Sequence, residues 1–171
     1  MRLIVALALC AASAVACSAP TAPPAVEAGP DPTFHVRLDR GMCLGDCPAY
    51  RVEIDASGLV SFTGSVSNMS PSVPCQGRRQ WRVSPAAVAG LAALIDREDV
   101  FSFKDDYTAG VTDRPGFDVT VTRRGKTKHV HDYAGEMVAM PRAVSEVEDA
   151  IDIAANDKAC VVATVPATNA S

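Results

Sequence analysis

The segment Cys43-Leu44-Gly45-Asp46-Cys47-Pro48-Ala49-Tyr50 constrains the fold more than any other stretch of the chain. Two cysteines, a glycine and a proline crowd into one tight loop, and an alternating strand leaves it directly. Tyr50, Val52 and Ile54 alternate with Arg51, Glu53 and Asp55, the period of a half-buried strand. Asp55-Ala56-Ser57-Gly58 is turn chemistry and Leu59 to Thr63 the returning strand, which together predict a hairpin. Upstream of the loop, Phe34, Val36 and Leu38 alternate with His35, Arg37 and Asp39, a further strand that Gly41 ends.

Downstream, residues 64–77 are polar, carry Pro71 and Pro74, and read as a loop. Gln80 to Val83 is a short strand with the single tryptophan, Trp81. Ser84-Pro85 is a helix start, a capping serine followed by proline in the first turn. Val88, Leu91, Leu94 and Ile95 then recur on one helical face, and the helix should end near Arg97 or Glu98. Phe101 and Phe103 are expected to close the core beyond it. Residues 104–116 read as a loop. Phe117, Val119 and Val121, the turn Arg124-Gly125, and the return from Lys126 to Tyr133 predict a second hairpin. Pro141 opens a second helix, with Val144, Val147, Ile151 and Ala154 expected inward and Glu146, Glu148, Asp149 and Asp152 outward, and Asn156 as its stop. Val161 to Val165 is a candidate edge strand. The predicted class is α+β: an antiparallel sheet built from two hairpins plus short strands, with two helices packed on one face.

The N-terminus has a different character. Arg2 followed by the apolar run Leu3 to Ala16 has the length of a signal peptide and is short for a bilayer span. It ends Ala14-Val15-Ala16-Cys17, which resembles a bacterial lipobox and makes Cys17 the expected lipidation site, with Ser18 in the pattern that permits outer-membrane sorting. Residues 17–32 are rich in Ala and Pro and read as a tether. The expected organisation is a signal peptide at 1–16, a lipid-anchored tether at 17–32, one α+β domain at 33–160 and a tail at 161–171. Asn68-Met69-Ser70 fits a glycosylation acceptor, a modification that a bacterial-looking signal does not favour. The net charge of −4 becomes −5 once Arg2 leaves with the signal, and it argues against nucleic acid as a partner.

Cys10 leaves with the signal and Cys17 is taken by lipid, so Cys43, Cys47, Cys75 and Cys160 remain. In an exported chain an even number implies disulfides, with three pairings open. The expected pairing is Cys43–Cys47 with Cys75–Cys160. Chain entropy assigns about 2 kcal/mol to the short ring and about 4.5 kcal/mol to the long one.

The cysteine segment, followed by Gly58 and Phe62-Thr63-Gly64, resembles the start of an uncharacterised bacterial family, domain of unknown function 6438. Phe101, Asp106-Tyr107, Thr112-Asp113-Arg114-Pro115 and the stretch from Lys128 to Asp132-Tyr133 are similar too. The resemblance spans roughly Phe34 to Ile153, with Leu44 where the family usually has an aromatic. It implies that Cys43 and Cys47 pair with each other, and it implies no activity.

Three groups of residues invite a functional reading. Cys43 and Cys47 could act as a redox pair, but their spacing and the strand that follows differ from reactive cysteines at a helix N-terminus. His129 and His131 share one strand face with Tyr133 and could ligate zinc or copper with a third group, His35 or an aspartate. Asp105, Asp106 and Asp113 do not have the spacing of an EF-hand. The same loop, with Tyr107, Thr112 and Asp113, is the expected functional surface. No nucleophile elbow, Walker loop or helical zinc motif is present. The sequence therefore favours a non-catalytic interaction module without a cofactor, anchored to the membrane by lipid, facing the periplasm and binding an envelope protein or component. A periplasmic enzyme or thiol-redox factor is the alternative, and a metal-binding module the third.

Overall fold

The structure is a computed structural model that describes residues 31–45, 47–65 and 73–162. The signal segment 1–16, Cys17, most of the tether, Asn68 and residues 163–171 lie outside the described residues. Among those described, no helix is long and apolar enough to cross a membrane.

Seven strands form one sheet: β1 (His35–Arg40), β2 (Tyr50–Asp55), β3 (Leu59–Gly64), β4 (Gly77–Arg82), β5 (Asp106–Thr108), β6 (Gly116–Arg123) and β7 (Lys126–Tyr133). Their order is β4-β3-β2-β1-β6-β7-β5, so β1 is the middle strand. All neighbours are antiparallel except β5, which runs parallel to β7. The sequence reading placed a loop over 104–116 and missed β5. A three-residue strand with one inward side chain, Tyr107, is too short to show alternation.

Both expected hairpins form. In the first, Asp55 Oδ1 accepts from Ser57 N at 2.8 Å and Leu59 N at 3.1 Å, and Gly58 takes φ +76°. In the second, Arg124 and Gly125 both have positive φ, the two-residue turn that matches strand twist. α1 (Pro85–Arg97) starts at Ser84, whose Oγ accepts from Ala87 N at 3.2 Å. α2 (Arg142–Ala155) stops at Asn156 in the left-handed conformation. α3 (Lys158–Val161) is a single turn and replaces the start of the expected edge strand; residues 163–165 lie outside the described residues.

α1 and α2 pack on one face of the sheet over Val36, Leu38, Val52, Ile54, Val60, Phe62, Val119, Val121 and Val130. The opposite face carries paired polar side chains. Asp39 bonds Arg37 and the cross-strand Arg51, and Thr122 meets Thr127 at 3.0 Å. Cys43 pairs with Cys47 and Cys75 with Cys160, at Cα separations of 5.6 and 4.6 Å. The second pair joins α3 to the segment before β4. At Gly58 a Cβ would lie 2.7 Å from the Val83 carbonyl oxygen, besides needing a positive φ. Gly58→Ala should therefore cost about 1–3 kcal/mol in urea unfolding. An unchanged midpoint would contradict this account of the turn.

Candidate functional site

Strand alternation continues past the apolar residues of β1. Val36 and Leu38 face the helices, so Arg40 does as well, at the strand end next to the Cys43–Cys47 loop. The inward phase of β7 likewise runs from Val130 to Asp132. On α2, Glu148 lies four residues after Val144 and three before Ile151, so it falls on the buried stripe and is only 3% exposed. This corrects the expected polar face. Glu148 is inward, Asp152 is mostly covered, and Ala155 is the fully buried alanine.

These positions assemble a polar cluster at the seam between α2 and the sheet. Asp152 Oδ2 accepts from Arg40 Nε at 2.8 Å and from the Tyr50 hydroxyl at 2.9 Å, and Arg40 Nη2 forms an ion pair with it at 2.7 Å. Arg40 reaches Asp149 at 3.2 Å and lies 4.9 Å from the centre of the Phe117 ring. Tyr50 stacks on Phe62 at 5.2 Å, Phe62 meets Trp81 at 6.1 Å, and Trp81 Nε1 donates to Ala155 O at 2.7 Å. The aromatic row thus fixes both the tyrosine and the end of α2.

Asp157, 3% exposed, stands beside Asp152. No backbone or side-chain donor reaches Oδ1 of Asp152 or Oδ2 of Asp157. Burial opposes ionisation of both carboxyls, and the charge of either opposes that of the other, so the pair keeps a proton. Burial, reinforced by the Asp152 charge, pushes Asp157 up to about 8. Burial also raises Tyr50, and Asp152 adds to the effect. Glu148 is pushed up to about 8 by burial and by Asp132, and its Oε1 has no bonded partner. Asp132, raised by burial, accepts from Gly135 N at 2.7 Å. The cluster can hold protons at neutral pH, present carboxyl oxygens to a donor, and anchor α2 through charge.

The residues singled out from sequence are dispersed. Tyr107 is buried in β5 and its hydroxyl accepts from Lys104 N at 3.0 Å. Thr112 and Asp113 are exposed and bond each other at 3.0 Å, so the structure does not join them to the Tyr107 side chain. Asp105 pairs with Lys128, and Asp106 bonds Thr108. His129 and His131 lie on the open face beside Asp118, at 3.4 and 2.8 Å from its Oδ1. Among the described residues, no group of three His, Cys, Asp or Glu side chains could hold a metal ion. The cluster was overlooked although its signal was present. Arg40, Asp132 and Glu148 are charged residues at positions where the strand or helix period points inward.

The family model for the Domain of unknown function (DUF6438) matches residues 34–155. The chain belongs to this family. A comparison with curated proteins returned no match. The DUF6438 match contains Arg40, Tyr50, Asp132, Glu148 and Asp152, together with the Cys43–Cys47 loop. Asp157 and Cys160 follow its end, so the partner of Asp152 and the disulfide that holds α3 are contributed from beyond the matched region.

Retained protons make stability fall as pH rises. Glu148 titrates near 4.5 when unfolded and about 8 when folded, and Asp157 near 3.8 and about 8. Between those limits the folded state binds more protons, and each retained proton contributes up to about 1.4 kcal/mol of lost stability per pH unit. Asp31 works oppositely. Hydrogen bonds from Thr33 and from Arg124 N lower it to about 2, so its contribution is lost as pH falls from 3.8 towards 2. The melting temperature should therefore peak near pH 4–5 and decline to pH 8, and Glu148→Gln should raise it at pH 8 and flatten the slope. A profile that is flat from pH 5 to 8 would rule out protonated buried acids.

Proposed function

We propose that this DUF6438 domain is a non-catalytic interaction module of a lipid-anchored envelope protein, and that it binds through the end of the sheet that carries the Cys43–Cys47 loop. One observation carries the reading: the placement of the exposed large apolar side chains. Among the described residues these are Met42, Leu44, Met137, Val138, Ile153 and Val162. Met42 and Leu44 lie on the connection from β1 to β2, and Met137 and Val138 on the one that follows β7. Gly41 N bonds Gly116 O at 2.7 Å and Gly116 pairs with Tyr133, so both connections leave the same end of the sheet. Ile153 and Val162 line a cavity whose wall includes Tyr50, the first residue of β2.

Exposed apolar groups cost free energy in water and are recovered on burial by a partner, at about 25 cal/mol per Å². Leu44, 81% exposed, is held out on a loop closed by a disulfide, so presenting it to a partner costs little further ordering. On the polar face of the sheet, by contrast, Asp39 is met by Arg37 and Arg51, and Asp118 by His129 and His131.

The anchor and the binding end make separate predictions. Cys17→Ser should move the protein from the membrane to the soluble fraction and abolish lipid labelling. A variant that stays labelled would reject the anchor. A photocrosslinker at Leu44 or Met137 should capture one and the same envelope component in cells, whereas one at Thr120 on the polar face should not. Equal capture from both surfaces would reject the binding end.

A further inference from the structure

β4 is one edge of the sheet, and among the described residues its one strand neighbour is β3. Val83 N donates to Gly58 O at 2.9 Å, and the register runs on from Leu59 opposite Arg82 to Thr63 opposite Arg78. Antiparallel pairs alternate between bonded and non-bonded positions. Gly58 and Val83 hold a bonded position, so Trp81 and Arg79 turn their backbone groups towards β3. Arg78, Gln80 and Arg82 turn theirs outward. Among the described residues no group bonds to their N–H, and of their carbonyls only Arg78 O is reached, by Arg79 Nη1 at 3.4 Å.

The same strand carries the unpaired positive charge of the domain. Arg78, Arg79 and Arg82 are exposed and form no ion pair among the described residues. Every other arginine among those residues meets a carboxylate. Asp55 feels the charge of Arg82, but its Oδ1 accepts from Ser57 and Leu59 instead. Arg82 is held by Ser57, at 3.1 Å from its carbonyl and 3.0 Å from its hydroxyl. Residues 66–72, just ahead of β4, contain no Asp or Glu, nor do residues 163–171, and residues 1–30 contain only Glu27. Backbone groups and guanidinium groups along one edge thus await the same kind of occupant.

We propose that β4 takes up an extended acidic segment of a partner polypeptide as a further strand of the sheet. The partner's backbone pairs with residues 78, 80 and 82, and carboxylates on one of its faces meet Arg78 and Arg82. Those two arginines share a face and stand about 13 Å apart, so acidic residues at alternate positions match them. A second copy of this chain is disfavoured, because joining two β4 edges would set arginine against arginine. An anionic lipid surface would meet the guanidinium groups but leave the outward backbone groups to water. The edge is a surface additional to the Leu44 end, since none of the exposed large apolar side chains lies on β4. It stands or falls separately from that end.

The test titrates acetyl-Thr-Glu-Val-Glu-Val-Glu-Thr-amide into the disulfide-bonded protein and follows the fluorescence of Trp81, which lies on β4. Saturable binding that weakens with added salt is the expected result. Hydrogen exchange should slow at the amides of Arg78, Gln80 and Arg82 and change little at Arg79 and Trp81. The fully N-methylated peptide keeps the charges, loses the backbone donors, and should not bind. Gln80→Pro removes one outward N–H at an edge position that tolerates proline, and should weaken binding roughly fivefold with little change in melting temperature. The double variant Arg78→Glu/Arg82→Glu, on exposed side chains, should lose the glutamate peptide and bind its lysine counterpart. No saturable binding, equal binding of the N-methylated peptide, or a charge-reversed variant that still prefers the glutamate peptide overturns the proposal. Adsorption to phosphatidylglycerol vesicles through Arg78 and Arg82, with no binding of the peptide, also overturns it and assigns the edge to a membrane surface.

Discussion

Asp152 accepts hydrogen bonds from two side chains of the sheet, Arg40 and Tyr50, and the arrangement of this end of the molecule depends on that convergence. It brings a charge of α2 down onto the end of the middle strand. It places the C-terminal half of α2 above β2 and β3, where the row Tyr50, Phe62 and Trp81 supports it and Trp81 caps its last turn. It also puts Asp157 next to a carboxylate and away from water, so that a proton stays on the pair. A buried ion pair of this kind adds little net stability over an apolar replacement, but loss of one partner costs about 3–5 kcal/mol. Its value here is positional: an apolar contact could slide, whereas Arg40, Tyr50 and Asp152 meet in one geometry.

The disulfides act on the same end with different reach. Cys43–Cys47 closes a small ring between β1 and β2 and holds Met42 and Leu44 on a defined loop. Cys75–Cys160 spans 85 residues and ties α3, with Asp157 at its start, to the strand segment before β4. Without that tie a single helical turn following Asn156 has little else to fix it, and the carboxyl pair relies on its position.

Most of the architecture was legible because local signals agreed with one another. Period-two alternation with Asp55 to Gly58 and with Arg124-Gly125 specified two hairpins, and Ser84-Pro85 specified a helix start. What escaped was of two kinds. β5 is stabilised by pairing with β7, a contact between residues distant in the chain, and three residues carry no periodic signal of their own. Glu148 was read by its chemistry as outward, and Arg40 and Asp132 were given no direction, while the phase of all three pointed inward. A charge is tolerated there only because burial shifts its protonation or because an opposite charge meets it, and neither is visible until the elements pack. The converse holds for Tyr107, whose loop setting suggested a surface role and whose side chain fills the core beside Gly135.

The chain reaches the sheet at Asp31, whose carboxylate is bound by Arg124 N at the turn between β6 and β7. That turn and the Cys43–Cys47 loop are at opposite ends of the strands, roughly 20 Å apart over the six residues of β1. A load applied between Asp31 and the Cys43–Cys47 loop would run lengthwise through β1, the middle strand. Its hydrogen bonds to β2 on one side and β6 on the other lie across that pull and are strained together, in shear, rather than opened one at a time. The order of the strands thus makes the domain mechanically stiff along the axis from Asp31 to the Cys43–Cys47 loop.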